Sequence, residues 1–236
     1  MSGITLIHGD CLVEMKKIPD KSVDMILCDL PYGTTACKWD TVIPFEPLWE
    51  QYKRVAKDNA AIVLTASQPF TSALVMSNPK WFRYEWIWEK SRPTGFLDSN
   101  RKPLKSHENI CIFYGIQTNY FPQGVIYKAS ITTRTGLGRS PDTNGKTKQV
   151  FETKGMNYPR SIISIPSESR TSHPTQKPVA LMEYLIKTYT NEGDLVLDNC
   201  MGSGTTGVAC KKLNRRFIGI EKDETYFNLA KERIGQ

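Results

Sequence analysis

Two short motifs carry side chains able to do chemistry. An apolar run near the N-terminus ends in Asp29-Leu30-Pro31-Tyr32, and another near the C-terminus ends in Asp198-Asn199-Cys200-Met201-Gly202-Ser203-Gly204. In the first, a carboxylate at a strand end sits beside a proline-fixed turn that exposes a backbone carbonyl. Two neighbouring acceptors match the two N–H donors of a planar exocyclic amine, and Tyr32 offers a ring to stack on the same base. Taken alone, four such residues are more simply a strand-ending turn with a solvated Asp. In the second motif, glycines let the backbone approach a ligand closely, and the helix that follows offers free N–H groups to a carboxylate or phosphate. Glu221, about twenty residues on, ends the next apolar run, where its side chain can accept hydrogen bonds from ribose hydroxyls. A Walker A reading fails, because no Lys follows the second glycine. The pattern implies a nucleoside-type cofactor.

The elements that position these motifs alternate. Residues 23–28 form a short apolar run suited to a buried parallel strand. Phe45, Leu48, Trp49, Tyr52, Val55 and Ala56 then recur at helical spacing. Residues 60–65 give another buried strand, and 68–77 open a helix after Pro69. Phe82, Tyr84, Trp86 and Trp88 alternate with more polar residues, which is strand periodicity, and 110–114 reads as a further strand. Regularity dissolves between about 116 and 170, where 132–148 is rich in Gly, Ser, Thr and Lys without an apolar period and reads as a loop. It returns at Pro178. Val179, Met182, Ile186 and Tyr189 share one helical face; 195–197 is a strand, 204–213 a helix and 217–220 a strand, and Tyr226, Ala230 and Ile234 mark a closing helix. The expected architecture is α/β, a doubly wound, mostly parallel sheet. Its two halves are residues 1–115, with the Asp29 motif, and 171–236, with the glycine turn, and a region of about 116–170 is inserted between them.

Composition bounds the function. The 236 residues suffice for one well-buried domain with a small insertion. No apolar run nears the roughly 20 residues that span a bilayer, and the N-terminal residues lack a secretory pattern, so a cytoplasmic protein without membrane partners is expected. Cysteines 11, 28, 37, 111, 200 and 210 show no Cys-x-x-Cys and no zinc spacing, so neither a metal nor a disulfide is expected. The net charge of +7 is concentrated: residues 90–172 hold 13 Lys/Arg against 5 Asp/Glu, and the rest of the chain is close to neutral. A basic middle segment suits a polyanionic partner, although a solvated basic surface would have the same composition.

Together the motifs resemble the S-adenosylmethionine-dependent amino-methyltransferases, whose acceptor motif is Asp/Asn/Ser-Pro-Pro-Tyr/Phe. Leu30 here replaces the first Pro, and Asn199-Cys200 stands where Pro-Phe is usual. The order of motifs is acceptor turn, recognition region, His173-Pro174-Thr175-Gln176-Lys177-Pro178, then glycine turn. That is the permuted order of the beta-class DNA amino-methyltransferases, and the resemblance extends over nearly the whole chain, including Ser106-His107-Glu108-Asn109 before its apolar strand. It implies a Rossmann-like methyltransferase fold with an inserted target-recognition region and S-adenosyl-L-methionine as cofactor. The implied catalytic residues are Asp29, Pro31 and Tyr32. The implied cofactor contacts are Asp10, which would accept from the adenine amine, with Cys11, Asp29, Lys177, Asp198, Gly202, Ser203, Gly204, Thr205 and Glu221.

The activity the resemblance implies is methylation of the exocyclic N6 amine of an adenine flipped out of double-stranded DNA. Lys90, Arg92, Arg101, Lys102 and Lys105 are expected to track phosphates, with 116–170 reading sequence. Trp39 is either a further wall of the base pocket or a core residue. Asp at the first motif position leans towards adenine, and cytosine N4 is the alternative within the family. Cytosine C5 chemistry is excluded, because it needs a Pro-Cys nucleophile and no cysteine here follows a proline. RNA and protein-glutamine methyltransferases place the glycine motif first. A catalytically inactive DNA-binding protein on the same fold is the alternative of a different class. A homodimer, a restriction endonuclease partner and a stand-alone enzyme are all compatible with the sequence.

Overall fold

A computed structural model describes residues 3–34, 40–139, 146–168 and 176–235. Cys37, Trp39 and the His173-Pro174-Thr175 half of its motif lie outside them. The first elements are β1 (Ile4–His8), α1 (Cys11–Glu14), β2 (Val23–Asp29), α2 (Phe45–Val55), β3 (Ala56–Ala66) and α3 (Phe70–Ser77). Then come β4 (Phe82–Thr94), β5 (Lys105–Phe113), β6 (Ile126–Arg139), β7 (Lys146–Met156) and β8 (Ile162–Ser164). The chain closes with α4 (Val179–Tyr189), β9 (Leu195–Asp198), α5 (Thr205–Lys212), β10 (Arg216–Glu221) and α6 (Glu224–Ile234).

Eight strands form one sheet in the order β1-β10-β9-β2-β3-β5-β4-β8. The five from β1 to β3 are mutually parallel, β5 runs antiparallel to both neighbours, and β8 is parallel to β4. The mostly parallel α/β architecture expected from the alternating pattern is therefore present. Central strands are apolar on both faces because helices cover both. In β2, Ile26 and Cys28 face a core with Leu48, Tyr52 and Leu74, whereas Met25 and Leu27 face Leu185, Ile186 and Ala230. The two-residue alternation of a strand divides one apolar run between two cores.

The site is set by one topological fact. The chain leaves β2 towards β3 on one side, and leaves β9 towards β10 on the other, yet β2 and β9 are neighbours, with Ile26 opposite Leu197. A crevice opens where connections diverge at the carboxyl ends of adjacent parallel strands. Asp29 and Asp198 stand at those two ends.

Four strands were not legible as such. β1, a short run of only half-buried residues, pairs in parallel with β10 from Ile4–Phe217 to His8–Glu221 and closes one edge. The stretch read as a loop is largely the antiparallel pair β6–β7, in continuous register from Thr132–Thr153 to Arg139–Lys146. Backbone pairing and β-branched threonines suffice for such a ribbon without an apolar period. Residues 122–160 form one compact unit and residues 1–121 with 161–236 another. Residues 162–164 of the inserted stretch return to the main sheet as β8, beside Ile87, Trp88 and Glu89 of β4.

Gly219, paired with Asp198, lets the chain after β9 pack tightly over β10. A Cβ there would overlap the Met201 sulfur and come within 2.6 Å of the Phe217 ring. Gly219→Ala is expected to destabilise the protein by about 1–3 kcal/mol through overpacking, read as a lower urea midpoint.

Candidate active site

β2 delivers Asp29 to the crevice with its side chain 29% exposed. Asp29 Oδ1 accepts from the Tyr32 hydroxyl at 2.7 Å and from the Thr65 hydroxyl, which the register of β3 places directly opposite. Asp29 Oδ2 accepts from Lys177 Nζ at 2.6 Å. A carboxylate has about four lone-pair positions, so three donors leave one acceptor position open. Burial first, then the negative charges of Asp29 and Glu108, hold the Tyr32 phenol well above its ordinary pKa, so it stays a donor. The Tyr32 ring stacks on Phe70 at 5.2 Å between centroids, which fixes the turn. Beyond it, Asp40 accepts from Gly33 N at 2.8 Å and Thr34 N at 2.9 Å.

Lys177 was expected among the cofactor contacts. Its side chain does line the cavity, but only 6% of it is exposed and its ammonium lies between two carboxylates, Asp29 at 2.6 Å and Glu108 at 3.3 Å. Burial opposes the charge, but Asp29 and Glu108 outweigh it and hold the Lys177 pKa above the lysine norm. Glu108 in turn is burdened by burial yet held below the carboxylate norm by Lys177, Lys90 and Lys105.

This network also corrects one of the expected phosphate contacts. Lys90 is 11% exposed and pairs with Glu108 at 2.9 Å, so its charge is spent inside the protein. Arg92, Arg101, Lys102 and Lys105 are exposed, with Lys102 also 3.0 Å from Asp98 and Lys105 donating to the Ser67 hydroxyl. Glu108 and Thr65 were not among the expected site residues. Glu108 lies within the Ser106-His107-Glu108-Asn109 pattern, whereas nothing local marks Thr65.

The glycine turn lies across the crevice. Gly202 and Gly204 have φ of +51° and +78°, and a Cβ on Gly204 would come within 2.9 Å of Ala230 on α6. Glu221 accepts from Gly202 N and from Asp223 N, both at 2.8 Å, which clamps the turn to the end of β10. Ser203 and Thr205 are likewise held by Arg233, whose guanidinium donates to the Ser203 carbonyl at 2.6 Å and its hydroxyl at 2.7 Å. Arg233 and Gln176, which bonds the Ser203 hydroxyl at 3.2 Å, are supports the sequence did not reveal. Asp10 caps α1 through Leu12 N at 3.0 Å and meets Lys222 at 3.2 Å.

Both motifs face one cavity of about 580 Å³, within the roughly 300–1,000 Å³ of small-molecule sites. Asp10, Cys11, Asp29, Pro31, Tyr32, Lys177, Asp198, Gly202, Ser203, Thr205 and Glu221 all line it, with the Gly204 turn opening α5 beside them. It offers carboxylates at the ends of β2, β9 and β10, a backbone turn at a helix N-terminus and an aromatic ring. Among the described residues no cluster of His, Cys, Asp and Glu suited to a metal occurs.

Asp198 is 3% exposed and accepts from Cys200 N at 3.1 Å. Burial pushes its pKa up to about 7. The native chain therefore keeps a proton that the unfolded chain has lost between about pH 4 and pH 7, and stability falls as pH rises through that window. Asp198→Asn keeps an acceptor without the charge; its melting temperature is expected to exceed that of the parent at about pH 8, with the gap closing towards about pH 5.

The chain matches the family model described as DNA methylase, of the N6/N4 methyltransferases, over residues 23–232. It is 31% identical to the DNA adenine methyltransferase YhdJ of Escherichia coli (strain K12), across 98% of this chain and 82% of that one. It is 29% identical to the type II methyltransferase M.HpaI of Haemophilus parainfluenzae, across 97% and 73%. Among solved structures it is similar to the M1.HpyAVI–SAM complex, with a TM-score of 0.66 and 26% identity over 98% of this chain and 99% of that one. With acceptor turn and glycine turn meeting in one crevice of the expected fold, the chain belongs to the N6/N4 DNA methylase family.

Proposed function

We propose that this protein transfers the methyl group of S-adenosylmethionine to the exocyclic N6 amine of an adenine flipped out of double-stranded DNA. The observation that carries this reading is the convergence of the Asp29 turn and the Glu221-clamped glycine turn on one cavity. The residues fit the cofactor: Glu221 is placed for ribose hydroxyls, Asp10 for the adenine amine, and the Gly202–Gly204 turn for close backbone approach. Bound there, S-adenosylmethionine supplies an electrophilic sulfonium methyl.

The chain's own contribution is orientation. An exocyclic amine delocalises its lone pair into the ring and is a weak nucleophile. Donating its two N–H groups to Asp29 and to the Pro31 carbonyl favours a pyramidal nitrogen with its lone pair directed at the incoming carbon. Lys177, Thr65 and Tyr32 hold the Asp29 carboxylate so that its remaining acceptor position points one way. Three donors on one carboxylate suit an acceptor that orients the amine better than a base that removes its proton.

Adenine is preferred over cytosine N4 because Asp leads the acceptor motif and YhdJ acts on adenine. The unit of residues 122–160, with seven Lys/Arg against two Asp/Glu, is suited to reading the target sequence. A second subunit, a companion restriction endonuclease and stand-alone action in the cytoplasm all fit this activity. No helix among the described residues is long and apolar enough to cross a membrane.

Asp29→Ala is expected to cut methyl transfer to DNA by roughly a hundredfold or more while the DNA gel shift persists; unchanged turnover would remove Asp29 from the mechanism. Lys177→Met is expected to lower kcat by roughly 10–100-fold, with KM for S-adenosylmethionine nearly unchanged. Lys177→Arg should restore part of the rate. A raised KM at constant kcat would instead make Lys177 a cofactor contact.

A further inference from the structure

The hairpin joining β4 to β5 carries a feature that the site chemistry does not use. At its tip a short 3₁₀ turn over Phe96–Asp98 presents Phe96, 64% exposed, and Leu97, fully exposed, to solvent. The turn is well ordered by its own backbone. Asp98 N donates to the Gly95 carbonyl at 3.0 Å, Ser99 N to Phe96 at 3.2 Å, and Arg101 N to Asp98 at 2.8 Å. Gly95, at φ +95°, gives the turn its left-handed entry. Two adjacent apolar side chains presented outward by a hydrogen-bonded turn form an apolar wedge.

The position of the wedge follows from strand register. Asp29 lies opposite Thr65, and Thr65 opposite Ile110. Because β5 is antiparallel to β3, going from Ile110 back to Lys105 leads past the carboxyl ends of β2 and β3. Five residues at about 3.3 Å each carry the hairpin roughly 17 Å beyond the level of Asp29. The tip therefore stands over the edge at which the cavity lies. Its flanks are basic: residues 90–105 hold five Lys/Arg and one Asp, and of these Arg92, Arg101, Lys102 and Lys105 are exposed. Asp98 offsets Lys102 across 3.0 Å and Lys105 donates to the Ser67 hydroxyl, which leaves Arg92 and Arg101 as the cations best placed for a polyanion.

We propose that Phe96 and Leu97 are a DNA wedge, entering the base stack beside the target as the target leaves it, with Arg92 and Arg101 on the flanking phosphates. The inference rests on the DNA-methylating function proposed above. An apolar side chain inserted at a base step replaces stacking lost when a base is extruded, and basic residues beside it hold the backbone. A protein partner would find an apolar tip of two residues too small for a stable interface and ringed by like charge.

The test compares the full-length protein with Phe96→Ser/Leu97→Ser on two substrates containing the methylated site: a matched duplex, and the same duplex with an abasic site opposite the target adenine. On the matched duplex the double variant is expected to lose about tenfold or more in kcat/KM. On the abasic duplex, where the target has no pairing partner to break, most of that loss should be recovered. Melting temperature and S-adenosylmethionine affinity should match the parent, since both side chains are in solvent. Equal losses on both substrates, or none on the matched duplex, would overturn the wedge. So would a change from dimer to monomer in sedimentation with methylation intact, which would assign the tip to a second copy of the chain. Failure of the parent to methylate either duplex would count against the proposed function itself, not the wedge alone.

Discussion

A buried ammonium between two carboxylates organises this site. Lys177 lies 148 residues from Asp29 in the chain, yet closes to 2.6 Å, and it also lies 3.3 Å from Glu108. An unpaired charge at any of the three would be costly in so enclosed a place. Lys90 supplies the second cation that Glu108 needs, so the cluster of two acids and two lysines is neutral as a set. The consequence is geometric. Asp29 is fixed by partners on β3, on its own turn and on the segment before α4, and it presents one remaining direction to a base.

That cluster is assembled by the sheet. β2 and β9 are neighbours although their connections diverge, so the acceptor carboxylate and the glycine turn share an edge without being near in sequence. Permuted motif order changes which half is synthesised first, but not which strands are adjacent. Glu221, Arg233 and Gln176 then brace the turn from three directions. The carboxyl end of the sheet is thereby rigid on both sides of the cavity, which is what a reaction governed by orientation requires.

Much of this was legible in the sequence, for local reasons. Apolar runs ending in Asp29, Asp198 and Glu221 mark strand ends because the fold buries each run between helices and brings its last residue to the carboxyl edge of the sheet, where the cavity lies. What was hidden depends on distance. Nothing near Lys177 says that its charge is consumed by Asp29, and nothing near Lys90 distinguishes an internal counter-ion from a phosphate contact. β6 and β7 lack an apolar face to betray them, and β1 is recognisable only through its pairing with β10. Leu30, where the family motif has Pro, is 3% exposed and packs in the core with residues of α2 and α3.

The central claim is that the crevice delivers a methyl group to an adenine amine. It is tested most directly by incubating the purified protein with methyl-labelled S-adenosylmethionine and unmethylated DNA of diverse sequence, digesting the DNA to nucleosides, and identifying the labelled one. Label in N6-methyldeoxyadenosine is the result predicted. Label in N4-methyldeoxycytidine would contradict the adenine assignment while keeping the same acceptor geometry, and no label in DNA, with cofactor binding verified, would contradict the account as a whole.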